Sequence, residues 1–323
     1  MRMRKWLLVL VLVALSLAVS CTNEPSRAPL VPLVAHNAHS QRAHYTASGE
    51  SPFVVVYVLE RATGWIVPLS VAREPGQTPL EQAVRLLNDG AWPEDFRTLG
   101  AGQSRIQGTT LRDTVLTVDM PPAFQAWVTR NLAEERSFVK ATVLTLTSFR
   151  DITAVRFTIN GLPMHGAVGP FQLAEPIGRP TAVNSLLATG NSVVLYLRLR
   201  DADLLVPWAV PAARRDPAVA LQELIRFRGH EKLVSPVPNN LSVQSVRVGE
   251  GLAIVNLDKA SVSLFLQGAV NQQLVLDALV YTLLEFPDIK EVQFLVDGRV
   301  LAPLGSNLDL SRPIGRTEIN RVR

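Results

Sequence analysis

"ATVLTLTSFRDITAVRFTING", residues Ala141–Gly161, returns as "ALVYTLLEFPDIKEVQFLVDG", Ala278–Gly298, after 137 residues. Ten of the 21 positions are identical: Ala141, Val143, Thr145, Leu146, Phe149, Asp151, Ile152, Val155, Phe157 and Gly161 all meet their own kind. Chance agreement at average composition is about one in 16, so the match marks a duplication. The tetrapeptide PIGR, at Pro176–Arg179 and Pro313–Arg316, keeps the spacing of 137 and follows Gly161 and Gly298 by 15 residues in each copy. Earlier in the chain the copies align at an offset of 139. Val54, Val55 and Tyr57 fall on Val193, Val194 and Tyr196, Val67-Pro68 on Val206-Pro207, Gly90 on Gly229, and Asp119 on Asp258. A net change of two residues between Asp119 and Ala141 reconciles the two offsets.

Each unit opens on a β-branched apolar run, "FVVVYVLE" or "SVVLYLRL", and a second strand is expected to end at the shared Val-Pro, because proline suits a strand end. "TPLEQAVRLLNDG" and "DPAVALQELIRFRG" then read as helices, with Thr78 or Asp216 as N-cap, proline in the first turn and a C-terminal glycine. A hairpin follows, turning at Arg112-Asp113 or at Gly249–Gly251. A second helix is expected near Glu134–Ser148 and Asn271–Glu285, and a last strand runs into an Asn-Gly or Asp-Gly turn at Gly161 or Gly298. This ββαββα-β order predicts an α+β fold, a mixed sheet packed against two helices, with the two tandem repeats related by a pseudo-twofold. The expected domains are residues 52–182 and 191–318.

Residues 1–20 stand apart. Arg2, Arg4 and Lys5 precede an apolar run of 14 residues, Trp6–Val19, too short for a stable membrane span and right for a secretory signal. It leads to Ser20-Cys21, and Cys21 is the chain's only cysteine. This resembles a bacterial lipobox, which implies lipidation at Cys21 and a protein tethered to the extracytoplasmic face of the cell membrane. Of 32 basic residues three belong to this segment; against 28 acidic ones the remainder carries a net charge of +1. A near-neutral chain without a basic block offers nothing to nucleic acid. Residues 21–51 are rich in proline and small polar residues and read as a flexible linker. Their histidines, His36, His39 and His44, lack carboxylate or thiolate company and are not taken as a metal site.

The unit resembles the GerMN domain, the repeat of the GerM family of sporulation and germination lipoproteins. The resemblance rests on "VVLYL", "IVNLDK", "VLDALVYTLLEF" and "VQFLVDG", all in the second copy; the first has drifted to "VDMPPAF" and "TINGLP". It implies a tandem envelope lipoprotein whose partners are envelope or sporulation proteins, with self-assembly also open.

Candidate chemistry is sparse. Beyond the linker only His165 and His230 remain, neither in a nucleophile motif. Asp119 with Asp258, and Asp151 with Asp288, recur and could form acid sites, yet Asp in such turns more often bonds nearby backbone N–H groups. No catalytic residue, cofactor or metal is therefore expected. Tyr57 and Tyr196 read as half-buried strand residues. Trp65, Trp92, Trp127 and Trp208 do not recur in register; as rings that stack on sugars they keep peptidoglycan binding open as an alternative, beside a cell-wall enzyme or its regulator. Gly178 and Gly315, inside PIGR, read as permissive residues of a closing turn, with Arg179 and Arg316 as boundary markers.

Overall fold

The structure, a computed structural model, describes residues 51–100, 102–185, 191–261, 271–300, 310–316 and 318–321. Residues 1–20, expected to be a secretory signal, Cys21 and the histidines His36, His39 and His44 lie outside the described residues. Among those described, no helix is long and apolar enough to cross a membrane.

The first copy begins with the antiparallel pair β1 (Phe53–Glu60) and β2 (Ile66–Ala72). Next comes α1 (Pro79–Asp89), whose N-terminus carries a capping box: Thr78 Oγ accepts from Glu81 N and Glu81 answers to Thr78 N. A two-residue strand, β3 (Phe96–Arg97), pairs with the end of β1. The hairpin β4 (Gly108–Arg112) and β5 (Val115–Met120) is followed by a short α2 (Ala123–Val128), by α3 (Ala133–Leu146) and by β6 (Ala154–Ile159). The small strands β7 (Leu162–Pro163), β8 (Ala167–Val168), β9 (Phe171–Gln172) and β10 (Ile177–Gly178) complete it. The second copy repeats the plan with β11 (Ser192–Leu199), β12 (Leu205–Pro211), α4 (Pro217–Arg226), β13 (Leu233–Val234), β14 (Val243–Gly249), β15 (Leu252–Leu257), α5 (Gln272–Leu283), β16 (Glu291–Val296) and β17 (Arg299–Val300).

The fold class is α+β, and each copy builds two main sheets: β2-β1-β3 with β4-β5-β6-β10 in the first, where β7 also pairs with β6 and β8-β9 form a separate ribbon, and β12-β11-β13 with β14-β15-β16-β17 in the second. The larger sheets are mixed, because a helix separates the parallel partners β5 and β6, and likewise β15 and β16. The Asn-Gly and Asp-Gly expectation holds: Asn160-Gly161 and Asp297-Gly298 both have positive φ and close two-residue hairpins. Buried side chains of both copies merge into one continuous apolar cluster.

Pairing registers move the point where the copies' offset changes. β5 and β15 match at an offset of 137, as do β3 and β13, whereas β1, β2 and their partners β11, β12 match at 139. The two-residue difference thus lies before Phe96, not after Asp119, and Asp119 corresponds to Asn256. Gly90 does cap α1, but α4 ends at Arg226 with Phe227 as its C-cap, so Gly229 is not the counterpart of Gly90.

The shared Val-Pro also reads differently in three dimensions. Pro68 and Pro207 are the third residues of β2 and β12, not their ends, and sit opposite Tyr57 and Tyr196. Their missing N–H falls on the outer edge of each strand, where the two copies meet. Along this joint the outward N–H groups of Ile66, Ser70, Leu205 and Ala209 and the carbonyls of Ile66, Pro68, Leu205 and Pro207 are met by the segments that follow PIGR, while Ala72 O at the end of β2 accepts from Gln82 Nε2. Asn184 Oδ1 accepts from Ile66 N at 2.8 Å, while its Nδ2 donates to Ile66 O (2.7 Å) and to Pro207 O (2.9 Å) in the other copy. Asn320 does the same with the copies exchanged, taking Leu205 N (2.8 Å) and giving to Leu205 O (2.7 Å) and Pro68 O (2.9 Å). Val183 O accepts from Ala209 N, and Ile319 O from Ser70 N, both at 3.0 Å. Proline cannot extend a ladder, so asparagine amides close the seam in its place.

A buried polar cluster at the junction as the candidate functional site

Under the joint the sequence places tyrosines where a strand turns inward. Tyr57 and Tyr196 are about 1% and 0% exposed, fully buried rather than half-buried. Their hydroxyls lie 2.8 Å apart, one from each copy. Each tyrosine's backbone N–H points away from the proline-bearing strand and is met by a threonine of the long helix, Thr145 Oγ1 at 2.9 Å or Thr282 Oγ1 at 3.0 Å. The recurrence of this threonine in the repeat therefore has a physical cause: it satisfies a buried donor that the short β3 and β13 do not reach.

Arg179 enters the cluster from the first copy and Glu285 from the second. Arg179 Nε and Nη2 reach the two carboxylate oxygens at 2.8 and 2.7 Å, a bidentate pair with side chains 14% and 4% exposed. Arg179 Nη2 also donates to Tyr57 Oη, and Nη1 to Leu144 O at 2.9 Å. Tyr196 Oη donates to Glu285 Oε1 at 2.8 Å, so the remaining proton between the tyrosines belongs to Tyr57 and is given to Tyr196. The second PIGR arginine, Arg316, sits over the Tyr281 ring and donates to Leu284 O at 3.3 Å, while its buried Nη1 has no partner among the described residues. Arg215 donates to Glu285 O at 3.0 Å and covers Phe286.

These surroundings set the charges. Burial pushes the Glu285 carboxyl up, but Arg179 outweighs it by charge and hydrogen bonding, helped by Arg316 and Tyr196, and the net value lies below the ordinary one. Burial opposes the charge on Arg179, and Glu285 and Tyr57 more than restore it, holding that guanidinium well above its usual range. Burial, then Glu285, raises Tyr196 well above an ordinary phenol. The carboxylate and both hydroxyls are committed to one another and shielded from solvent. This arrangement bonds one copy to the other.

The other residues singled out in the sequence are dispersed. Asp119 Oδ1 accepts from Thr158 Oγ1 (2.8 Å) and Gly161 N (2.9 Å), pinning the Asn-Gly turn. In the second copy Asn256 Oδ1 does this for Gly298 N at 2.8 Å. Asp258 instead accepts from Ser261 N at 2.7 Å at the start of a helical turn, and its bonds to Ser261 hold its carboxyl below the ordinary value. Asp151 and Asp288 are exposed beside the connections in which Ile152 N bonds Phe149 O and Ile289 N bonds Phe286 O. No group of three or more His, Cys, Asp or Glu among the described residues could hold a metal. Gly178 is a strand residue pairing with Ala154, and neither it nor Gly315 has the positive φ that a permissive turn glycine would need. The PIGR glycines lie along a strand edge because Ile177 and Ile314 bridge Val155 and Val292. Trp65 and Trp208, out of register in sequence, meet across the joint with ring centroids 5.1 Å apart, and His230 packs against both.

A duplicated α+β unit joined through buried polar groups defines the class: the chain belongs to the Germane family, described as "Sporulation and spore germination", whose profile matches residues 55–165 and again 194–302. Among its relatives is the spore germination protein GerM of Bacillus subtilis (strain 168), 22% identical over 332 residues, an alignment spanning 92% of this chain and 87% of that protein. The structure of the tandem GerMN domains of the sporulation protein GerM from the same organism superposes with a TM-score of 0.64 at 19% identity, over 83% of this chain and 99% of that one. That likeness establishes the fold.

Proposed function

We propose that the chain is a non-enzymatic scaffold of the cell envelope that supports sporulation or germination, tethered to the outer face of the membrane by lipid on Cys21 and holding partner proteins against a rigid pair of GerMN units. The observation that carries this reading is the use made of the buried charge. Arg179, Glu285, Tyr57 and Tyr196, the groups best suited to chemistry, are consumed in bonding one copy to the other. The partners are envelope or sporulation proteins, and the family to which the chain belongs favours that setting.

The test is a fluorescent fusion with deletion in the native host. Enrichment at the developing spore and a germination or sporulation defect are expected; a uniform membrane signal throughout growth, with no such defect, would sink the reading. Cys21→Ala should release the protein from the membrane. Peptidoglycan binding is the second reading, favoured by the partly exposed Trp65–Trp208–His230 cluster. Co-sedimentation with purified peptidoglycan that is lost in Trp65→Ala/Trp208→Ala would establish it in place of the scaffold.

A further inference from the structure

Both edge strands at the joint carry proline where a direct ladder would need an N–H, so the copies are not zipped together by backbone. The contacts that replace the ladder are not equivalent in how they are held. Asn184 lies in the only connection between the copies among the described elements, between β10 and β11, so the chain itself retains it at the seam. Asn320 and Ile319 lie beyond the last described strand of the second copy and reach the first copy through hydrogen bonds and packing. Ile319 is about 1% exposed, accepts from Ser70 N and donates to Ser70 Oγ at 2.8 Å, while Asn320 bridges Leu205 O and Pro68 O. Asn320 also adopts φ +47°, a left-handed backbone that asparagine tolerates better than most residues.

We propose that Ile319-Asn320 is a latch that fixes the angle between the two copies, and that its withdrawal lets them swing about the linker at Asn184. The latch is built from one side-chain amide, one buried aliphatic side chain and the bonds of a single residue, Ile319, to Ser70, not from a run of paired strand residues. It can therefore leave without unfolding either copy, whereas a continuous backbone ladder would have to be torn strand from strand. The Arg179–Glu285 pair sits under the same joint, so swinging the copies pulls that pair apart, and the latch and the ion pair reinforce one another. Ser70, absent from the equivalent place in the second copy where Ala209 stands, gives the latch one bond that the Asn184 side lacks. The pairing of Ile319 with Ser70 is thus a specific feature of the releasable end.

The test places spin labels at Thr110→Cys and Val248→Cys, exposed positions of β4 and β14, in the full chain with Cys21→Ser, and reads the distance between copies. One narrow distribution is expected for the unaltered latch. Asn320→Ala, and more strongly Ile319→Asp, should give a broad or two-peaked distribution. Asn320→Asp keeps the acceptor for Leu205 N–H but loses both amide donations, and should fall between. Leu224→Ala, in the core of the second copy and on α4, which supplies none of the bonds described across the joint, controls for general loosening: it should lower the melting temperature and leave the distribution narrow. An unchanged distance distribution in folded Asn320→Ala overturns the latch, and so does equal broadening in Leu224→Ala. If Ile319→Asp does not fold, Asn320→Asp decides: a distribution as narrow as the parent's refutes the proposal.

Discussion

The two PIGR arginines occupy matching places in matching copies and do different work. Arg179 holds Glu285 through Nε and Nη2 and adds Tyr57; among the described residues Arg316 has one long bond to Leu284 O, the face of Tyr281 and a buried nitrogen without a partner. The cause is one substitution in the duplicated frame. Glu285 aligns at the offset of 137 with Ser148, whose hydroxyl lies 3.5 Å from Arg179 Nη1 and donates to Leu144 O. Duplication supplied two arginines to one junction, and only one copy of the carboxylate is present to receive them. A repeat thus preserves where a side chain stands more faithfully than what it is bonded to.

Removing the better-held arginine should have the largest effect. Arg179→Ala leaves Glu285 buried without its bidentate partner and should cost about 3–5 kcal/mol of unfolding free energy, read from urea denaturation. Arg316→Ala, by contrast, gives up one long hydrogen bond, its stacking on Tyr281 and a minor share of the charge that favours ionised Glu285, and should cost about 1 kcal/mol; equal losses would erase the distinction. The acid limb of stability follows from the same pair. Because the folded Glu285 value lies below its ordinary 4.5, its contribution is complete above that pH and is lost as pH falls through the folded value. Glu285→Gln should therefore flatten the decline of melting temperature with acid, although it lowers the temperature at neutral pH. Ser148→Glu supplies the missing carboxylate and should couple to Arg316 by about 1 kcal/mol in a double-mutant cycle with Arg316→Ala. No coupling would mean that Arg316 cannot turn to a partner there. The smallest effect is expected for Asp119→Asn, which copies Asn256 of the second repeat and should change stability by no more than about 0.5 kcal/mol.

Much of the frame was legible in the residues because it is local. The spacing of 137, the capped helices and the Asn-Gly turns each depend on neighbours in sequence, and the α+β class followed from their order. The joint was not legible, because its bonds span the chain: Asn320 meets Pro68 at a separation of 252 residues and Arg179 meets Glu285 at 106. Pro68 lies within its strand and not at the end its residue type predicts, because proline's bar on ladders holds only for the side that faces a partner strand. Asp119 pairs by position with Asn256 and not with Asp258, because strand pairing fixes where the two-residue difference falls and the aspartates themselves do not reveal it. One signal was present. PIGR continues as "PTAVN" in the first copy and "TEIN" in the second, so the Thr, the aliphatic residue and the Asn recur with a single gap. Extending the repeat by those residues would have pointed to the asparagines, and the shared Val-Pro to what they meet.

Pro68 and Pro207 carry a further consequence. Sheets that join by backbone pairing leave a fresh edge at each addition and invite another strand, the open-ended growth that edge strands must resist. Here each copy turns its proline-bearing edge toward its twin, and each edge is finished by an amide drawn from a loop. Among the described residues, the outward N–H groups of Ile66, Ser70, Leu205 and Ala209 are all taken on that side. In terms of valence the joint is saturated at two, so any larger assembly has to be built from other faces of the molecule.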